Sequence, residues 1–283
     1  MKKLLALMLV FLLIFMVGCV TDDDDDDDDR SGNDTEQVNT DGNGDNTNND
    51  GTDNTDGGTV ASGTYFPLTV GSSWNYRETG VDWDGESYTE EYTTTVTGTT
   101  TINGISYAVV TEDGDSTYMR VDNNAIYTLD YFNYDDVVAK SAALPEAAKA
   151  AARQALAAEG EIMLVDFNKS IGQSWTIYED SQSGEGYSYT SSYTGKIVGT
   201  ENVTVAAGSF SGCVKVELTM AGSSSSSYNN ETYSTEWRDT SFVWFGNGVG
   251  VVKESDSSTE TTQGVTDVLS SSSMELTSYS IAR

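Results

Sequence analysis

Val214-Lys215-Val216-Glu217-Leu218-Thr219-Met220 is the stretch whose reading decides the fold class. Apolar and polar side chains alternate with a period of two. Val214, Val216, Leu218 and Met220 therefore share one face of a strand, and Lys215, Glu217 and Thr219 share the other. Outward from there, β signals continue in both directions. From Tyr65 onward Tyr, Thr, Val and Ser dominate, with Pro67 and Pro145 as the two prolines. Phe242 to Phe245 and Val249 to Val252 are further apolar runs, separated by the glycine-rich stretch that starts at Gly246. Ile102-Asn103-Gly104-Ile105 predicts a hairpin, because Asn-Gly accepts the positive φ values of a type I′ turn. Gly71, Gly208 and Gly248 mark turns or bulges. The expectation is a mainly β domain over 63–283, folded as a curved antiparallel sheet or half-barrel.

One segment breaks the pattern. Pro145 to Glu159 is rich in Ala, starts with Pro at a plausible first helical position and stops before Gly160. These signals predict one inserted helix near 145–159. On either side of it the chain shows a parallel. Val70-Gly-Ser-Ser-Trp74-Asn-Tyr76 resembles Ile171-Gly-Gln-Ser-Trp175-Thr-Ile-Tyr178 at an offset of 101, and Ser116 to Arg120 resembles Ser234 to Arg238 at an offset of 118. A pseudo-duplicated meander follows if the parallel is real. It demands a bulge between Trp175 and Tyr178, since without one the two side chains fall on opposite faces.

The N-terminal residues speak to compartment. Lys2 and Lys3 precede an apolar run from Leu4 to Val17, too short for the roughly 20 residues of a spanning helix. Met16-Val17-Gly18-Cys19 matches a lipobox, so 1–18 is expected to be a lipoprotein signal peptide and Cys19 the lipidated residue. Each buried CH₂ of an acyl chain contributes about 0.8 kcal/mol, so two or three chains would hold the protein on a membrane. The stretch 19–62 then carries 15 acidic residues against Arg30 alone, with almost no apolar side chains. Such a composition predicts a disordered acidic linker with a reach of roughly 35–40 Å. The formal net charge is −31, and loss of Lys2 and Lys3 with the leader takes it to −33. That charge excludes a nucleic-acid partner. Cys213 has no second cysteine to pair with once Cys19 carries lipid, so stability has to come from a packed core.

Three motifs in order carry a family resemblance. They are Tyr65-Phe66-Pro67-Leu68 with Gly71 and Trp74-Asn-Tyr76, then Val203 to Phe210 with Gly208 and Cys213, then Phe245-Gly-Asn-Gly-Val-Gly250-Val-Val-Lys253. The set resembles the TapB-like family of bacterial lipoproteins and exported proteins, which has no established activity. The resemblance covers roughly Tyr65 to Lys253, with Ala206 standing where the pattern has Pro. It implies a strongly curved antiparallel sheet akin to lipoprotein-carrier half-barrels, and supplies no catalytic residues.

Chemistry is scarce. The chain has no histidine, which removes imidazole metal sites and His-activated nucleophiles. Thirty acidic residues in the domain make carboxylate pairs uninformative. Asp82, Asp84 and Glu86, and Glu112 with Asp115, put hard oxygens in turns, but neither set fits a calcium loop. Cys213 shares a strand face with Lys215 by alternation and is read as a quiet structural thiol. Trp74, Trp175 and Trp244 are read as core anchors. Tyr187, Tyr189 and Tyr193 share one strand face and Tyr88 and Tyr92 another, a pattern suited to stacking on a sugar as well as to sheet stabilisation. The expectation is a non-enzymatic protein without catalytic residues, cofactor or metal, lipid-anchored to the cell envelope at the outer membrane or cell surface. Its partner is the membrane through the lipid, with an envelope protein, glycan or lipid as the unknown second. A carrier or chaperone for apolar ligands and a carbohydrate-binding module are the alternatives.

Overall fold

The computed structural model describes residues 58, 60, 63–129, 161–184, 187–228 and 231–283. The lipobox, most of the acidic stretch and the segment 145–159 read as a helix lie outside the described residues. The described residues are all β. Their strands are β1 (Ser73–Val81), β2 (Ser87–Ile102), β3 (Ile105–Glu112), β4 (Asp115–Asp122), β5 (Ala125–Leu129), β6 (Glu161–Asp166), β7 (Ser174–Gly184), β8 (Tyr187–Val205), β9 (Gly208–Tyr228), β10 (Glu231–Gly246), β11 (Gly250–Thr262) and β12 (Val265–Ser280).

All twelve belong to one antiparallel sheet in the order β6-β5-β4-β3-β2-β1-β12-β11-β10-β9-β8-β7. Read around a circle, this is simply chain order. The edges β6 and β7 are consecutive in the chain and touch without forming a ladder. The result is a nearly closed barrel with one seam, further round than a half-barrel. Closure hides every other edge, which a long flat sheet would leave open to aggregation.

Local chemistry sets the turns and the curvature. Asn103 and Gly104 have φ of 51° and 80°, as the hairpin reading required, and Asp113-Gly114 and Gln263-Gly264 repeat that geometry. Bulges after Val96 in the β2–β3 ladder and after Ile197 in the β8–β9 ladder bend the long strands. Aromatic rings lie over glycines on the facing strand. Trp175 stands opposite Gly195 and Trp237 opposite Gly222, and a Cβ on either glycine would come within 2.1–2.2 Å of the indole. A bare glycine backbone lets the strand coil, and the ring covers it.

The parallel between the halves is present in the backbone. Gly71 N–H donates to Val96 O at 2.8 Å and Gly172 N–H to Ile197 O at 2.7 Å. Val96 N–H returns to Ser72 O at 2.9 Å and Ile197 N–H to Gln173 O at 3.2 Å. Trp74 then faces Thr94, and Trp175 faces Gly195. A register shift between Thr176 and Tyr178 brings Tyr178 opposite Tyr193, just as Tyr76 stands opposite Tyr92. β1–β6 and β7–β12 are thus two copies of a six-stranded meander.

The second stretch of the parallel needs correction. Val110 faces Val96 and Thr117, while Val216 faces Ile197 and Val243, so Thr117 and Val243 are the equivalent residues. Arg120 therefore corresponds to Gly246, not to Arg238. The β9–β10 hairpin is much longer than β3–β4, and counting along the chain slips through it.

We call lower the end where β1 starts and β12 finishes. There the interior is aliphatic and full: Val96, Ile197, Val214, Val216, Val243, Val252 and Leu276 are completely buried. Tyr65 and Phe66, just before β1, seal that end. Tyr65 packs on Phe167 at 4.7 Å, Phe167 on Phe245 at 5.2 Å, and Phe66 stacks on Trp74 at 6.1 Å. Val60 is buried as well, and Gly58 O accepts Ile171 N–H at 2.9 Å. The barrel thus reaches back into the stretch read as linker.

Candidate functional site in the upper lumen

Above the aliphatic layer the inward positions change character. In β1 the inward series runs Trp74, Tyr76, Glu78, and in β11 it runs Val252, Glu254, Asp256, Ser258. Glu78 is 0% and Glu254 2% exposed, so two carboxyl groups lie wholly inside the barrel. The ladders bring them together: Glu78 and Glu254 both stand opposite Met274 of β12. Tyr88 O–H donates to Glu78 Oε1 at 2.5 Å, and Ser241 O–H to Glu254 Oε1 at 2.7 Å. Ser272 O–H donates to Asp256 Oδ2 at 3.3 Å, and Thr94 O–H to Glu112 Oε2 at 2.8 Å.

Burial disfavours the charged form of these acids. Burial first, then the charge of Asp256 and that of Glu78, holds the Glu254 carboxyl well above the usual carboxylate range. Burial and the Glu78 charge push Asp256 up to about 7. Burial likewise raises Asp239. None of the strand-borne cations relieves this. Arg77, Arg120, Lys196, Lys215, Arg238 and Lys253 all occupy outward positions in their strands.

The tyrosines read as possible stacking residues belong to this same interior. Tyr187, Tyr189 and Tyr193 alternate with the outward residues of β8, and Tyr88 and Tyr92 with those of β2, so both sets face the lumen. Tyr92 and Tyr193 approach the carboxylates from different strands. Burial and then the charges of Glu112, Glu254 and Glu78 raise the Tyr92 phenol far above its ordinary value. Burial, Glu254 and Asp256 do the same to Tyr193. Tyr92 packs on Tyr76 at 5.6 Å, and the Tyr76 hydroxyl donates to Val251 O at 3.1 Å. The Tyr92 hydroxyl is buried with no hydrogen-bond partner among the described residues. Higher in the barrel Tyr189 stacks on Trp237 at 5.5 Å, and Tyr187 is half exposed over Gly184.

Twelve strands enclose more space than eight, whose interior side chains just fill a barrel. At the upper level the inward residues are small: Ser191, Ser241, Ser258 and Ser272 stand where the lower level has Val, Ile and Leu. The inner surface at this level is lined by carboxyl groups, tyrosines and serines. Sequence reasoning misses it, because thirty acidic residues hide the few whose strand parity turns them inward. Alternation from Trp74 to Glu78 and from Val252 to Asp256 is the available signal.

The remaining residues singled out from sequence fall elsewhere. Trp74 and Trp175 are buried in the core, at 2% and 6% exposure. Trp244 is buried but on the outer face. Lys215 Nζ lies 4.6 Å and Lys253 Nζ 5.5 Å from its ring, and Glu201 accepts its indole N–H. Cys213 is fully buried, and burial followed by the Glu201 charge pushes its thiol up to about 11. Asp82, Asp84 and Glu86 close their own hairpin, with Glu86 N–H on Asp84 Oδ1 at 3.1 Å. Among the described residues no three acidic or thiol groups are arranged to hold a metal ion.

No family model matches the chain, and no curated protein sequence matches it. Among solved structures, one similar chain is a provisionally assigned lipoprotein from Parabacteroides distasonis. It is 17% identical, with a TM-score of 0.34 over 76% of this chain and 98% of that one. Another is a provisionally assigned exported protein with a YmcC-like fold from Bacteroides fragilis. It is 13% identical, with a TM-score of 0.33 over 77% of this chain and all of the other.

Proposed function

We propose that this chain is a lipid-anchored envelope protein whose barrel is a non-enzymatic binding module for a polar ligand held in the upper lumen. The lipobox at Cys19 and the acidic stretch after it support the anchor and a tether at the outer membrane or cell surface. The three motifs that resemble those of the TapB-like lipoproteins point the same way. The observation that carries the binding role is the pair of buried carboxyl groups, Glu78 and Glu254, set among inward tyrosines. Burying acids costs stability, and such groups cluster where a protein binds or reacts. The apolar-carrier reading has less support, since the aliphatic part of the interior is filled by its own side chains.

The experiment is a thermal melt of the full chain in mild detergent against three ligand classes: amines, neutral sugars and fatty acids. At least one polar class raises the melting temperature in a saturable way. A response to fatty acids alone, or to none of the three, would overturn the binding role.

A further inference from the structure

We propose that the upper inward face of β7–β10 binds an uncharged oligosaccharide, stacked on Tyr187, Tyr189, Tyr233 and Trp237. This rests on the binding role above and names its ligand class and its place. Strand length makes the face available. β8, β9 and β10 are 19, 21 and 16 residues long, whereas β3, β4 and β5 of the first meander are 8, 8 and 5. The long strands outreach the short ones, and the inward rings on their upper part keep contact with solvent. Tyr187 is 52% and Tyr233 49% exposed, although both belong to the inward series of their strands.

Register and ring placement give the chemistry. Tyr187 and Tyr233 both stand opposite Ser226, so they sit two strand spacings apart, about 10 Å. A disaccharide spans that distance. In the next inward row Tyr189 and Thr235 flank Ser224, and in the one after it Ser191 and Trp237 flank Gly222. The Tyr187 ring lies over Gly184 and the Trp237 indole over Gly222, since a Cβ on either glycine would fall within 2.1–2.2 Å of the ring. Rings laid along a sheet turn one face to the backbone and the other to the lumen. Tyr189 stacks on Trp237 at 5.5 Å and 28°, which extends that surface. The C–H face of a pyranose packs on such rings, and its hydroxyls take hydrogen-bonding groups at their border. On β7, Gln182 stands opposite Tyr189 and its amide donates to Asp180 Oδ2 at 3.3 Å, so an amide and a carboxylate border the rings. Charge selects among sugars: a chain of net charge −31 repels polyanionic glycans and accepts uncharged ones. A purely apolar ligand would cover the serine hydroxyls and the amide without bonding them, which is costly.

The test is isothermal titration of the full chain, in a polyoxyethylene detergent that carries no sugar. Cellotetraose, maltotetraose, mannotetraose and xylotetraose are the probes, with butylammonium and palmitate as comparisons. At least one tetrasaccharide binds saturably. Tyr187→Ala and Tyr233→Ala each weaken that binding by about tenfold, while Tyr187→Phe, which keeps the ring, leaves it within about twofold. Tyr279→Ala, at a comparably exposed tyrosine at the lower end of β12, changes nothing. The two alanine variants keep the native far-ultraviolet circular dichroism, because the rings they remove are half exposed. Should either lose it, Gln182→Ala takes its place, with a loss of about threefold or more. Absence of saturable binding by every tetrasaccharide, or binding that ignores the substitutions in natively folded variants, overturns the proposal. A response to butylammonium with the sugars silent overturns it and leaves the polar binding role standing. Binding of palmitate alone, or silence from every probe, overturns both.

Discussion

Trp74 and Trp175 occupy the same place in the two meanders, yet their indole nitrogens differ. The Trp74 N–H donates to Val249 O at 2.6 Å, whereas the buried Trp175 N–H has no partner among the described residues. Replacing Trp74 by Phe should therefore cost about 1–2 kcal/mol more than replacing Trp175 by Phe, read from urea melts, because only the first breaks a made bond. Truncating either to Ala should cost on the order of 3–5 kcal/mol. The buried acids make a second prediction, about pH. Asp256 titrates near 7 in the fold, against an ordinary value of 3.8, and Glu254 is held high as well. The folded chain then holds more protons than the unfolded one between about pH 4 and 7. This contribution to stability is full below that window and is lost as pH rises through it. Among the described residues the groups facing Asp256 include Glu254, Glu78, Tyr193, Ser241 and Ser272, none of them a cation. The melting temperature of the ligand-free chain should fall between pH 5 and pH 8, and Asp256→Asn should flatten the fall. A melting temperature that climbs over that range would contradict the burial of these acids. At this scale the tryptophans are legible in the sequence as large apolar anchors. The inward acids are not, because an aspartate in a loop and one in a lumen look alike until strand parity is fixed.

Among the elements, the two six-stranded meanders are the most legible feature of the chain and the most easily misaligned. Gly71-Ser-Ser-Trp74 and Gly172-Gln-Ser-Trp175 announce the start of each copy, and the bulge needed before Tyr178 is present. The long β8–β10 strands defeat simple counting, which sets Arg238 against Arg120 although the ladders put it eight residues away from the true counterpart, Gly246. Ring-over-glycine pairs are invisible in the sequence, since Gly195 and Trp175 lie 20 positions apart and meet only through the β7–β8 register. They offer a sharp test of the strand curvature. Gly195→Ala would place a methyl group 2.1 Å from the Trp175 ring, and overpacking of this kind costs about 1–3 kcal/mol. The expected outcome is a lowered urea midpoint with an unchanged slope. Gly85→Ala, which changes an exposed hairpin tip with open space around it, should cost only the strain of its positive φ.

Over the whole molecule, charge is sorted by surface. Among the described strands acids face both ways, while the cations face out. A lipid at Cys19 would set this barrel on a membrane while the acidic stretch keeps it off an anionic surface by repulsion. Cys19→Ser should abolish labelling by a fatty-acid analogue and release the protein from the membrane fraction. Persistent labelling of the variant would remove the anchor. If the upper lumen is an accessible, electronegative chamber, charge-selective thiol labelling reads that property most directly. Ser272 faces the lumen beside Asp256, and Ser271 is exposed on the opposite face of the same strand. With Cys19 lipidated and Cys213 buried, a cysteine placed at either position is the reactive thiol. Ser272→Cys should react with a cationic methanethiosulfonate far faster than with an anionic one of similar size. The ratio should exceed that at Ser271→Cys by about tenfold or more. Equal ratios at the two positions, or no reaction at Ser272→Cys with either reagent, would contradict an open, electronegative lumen.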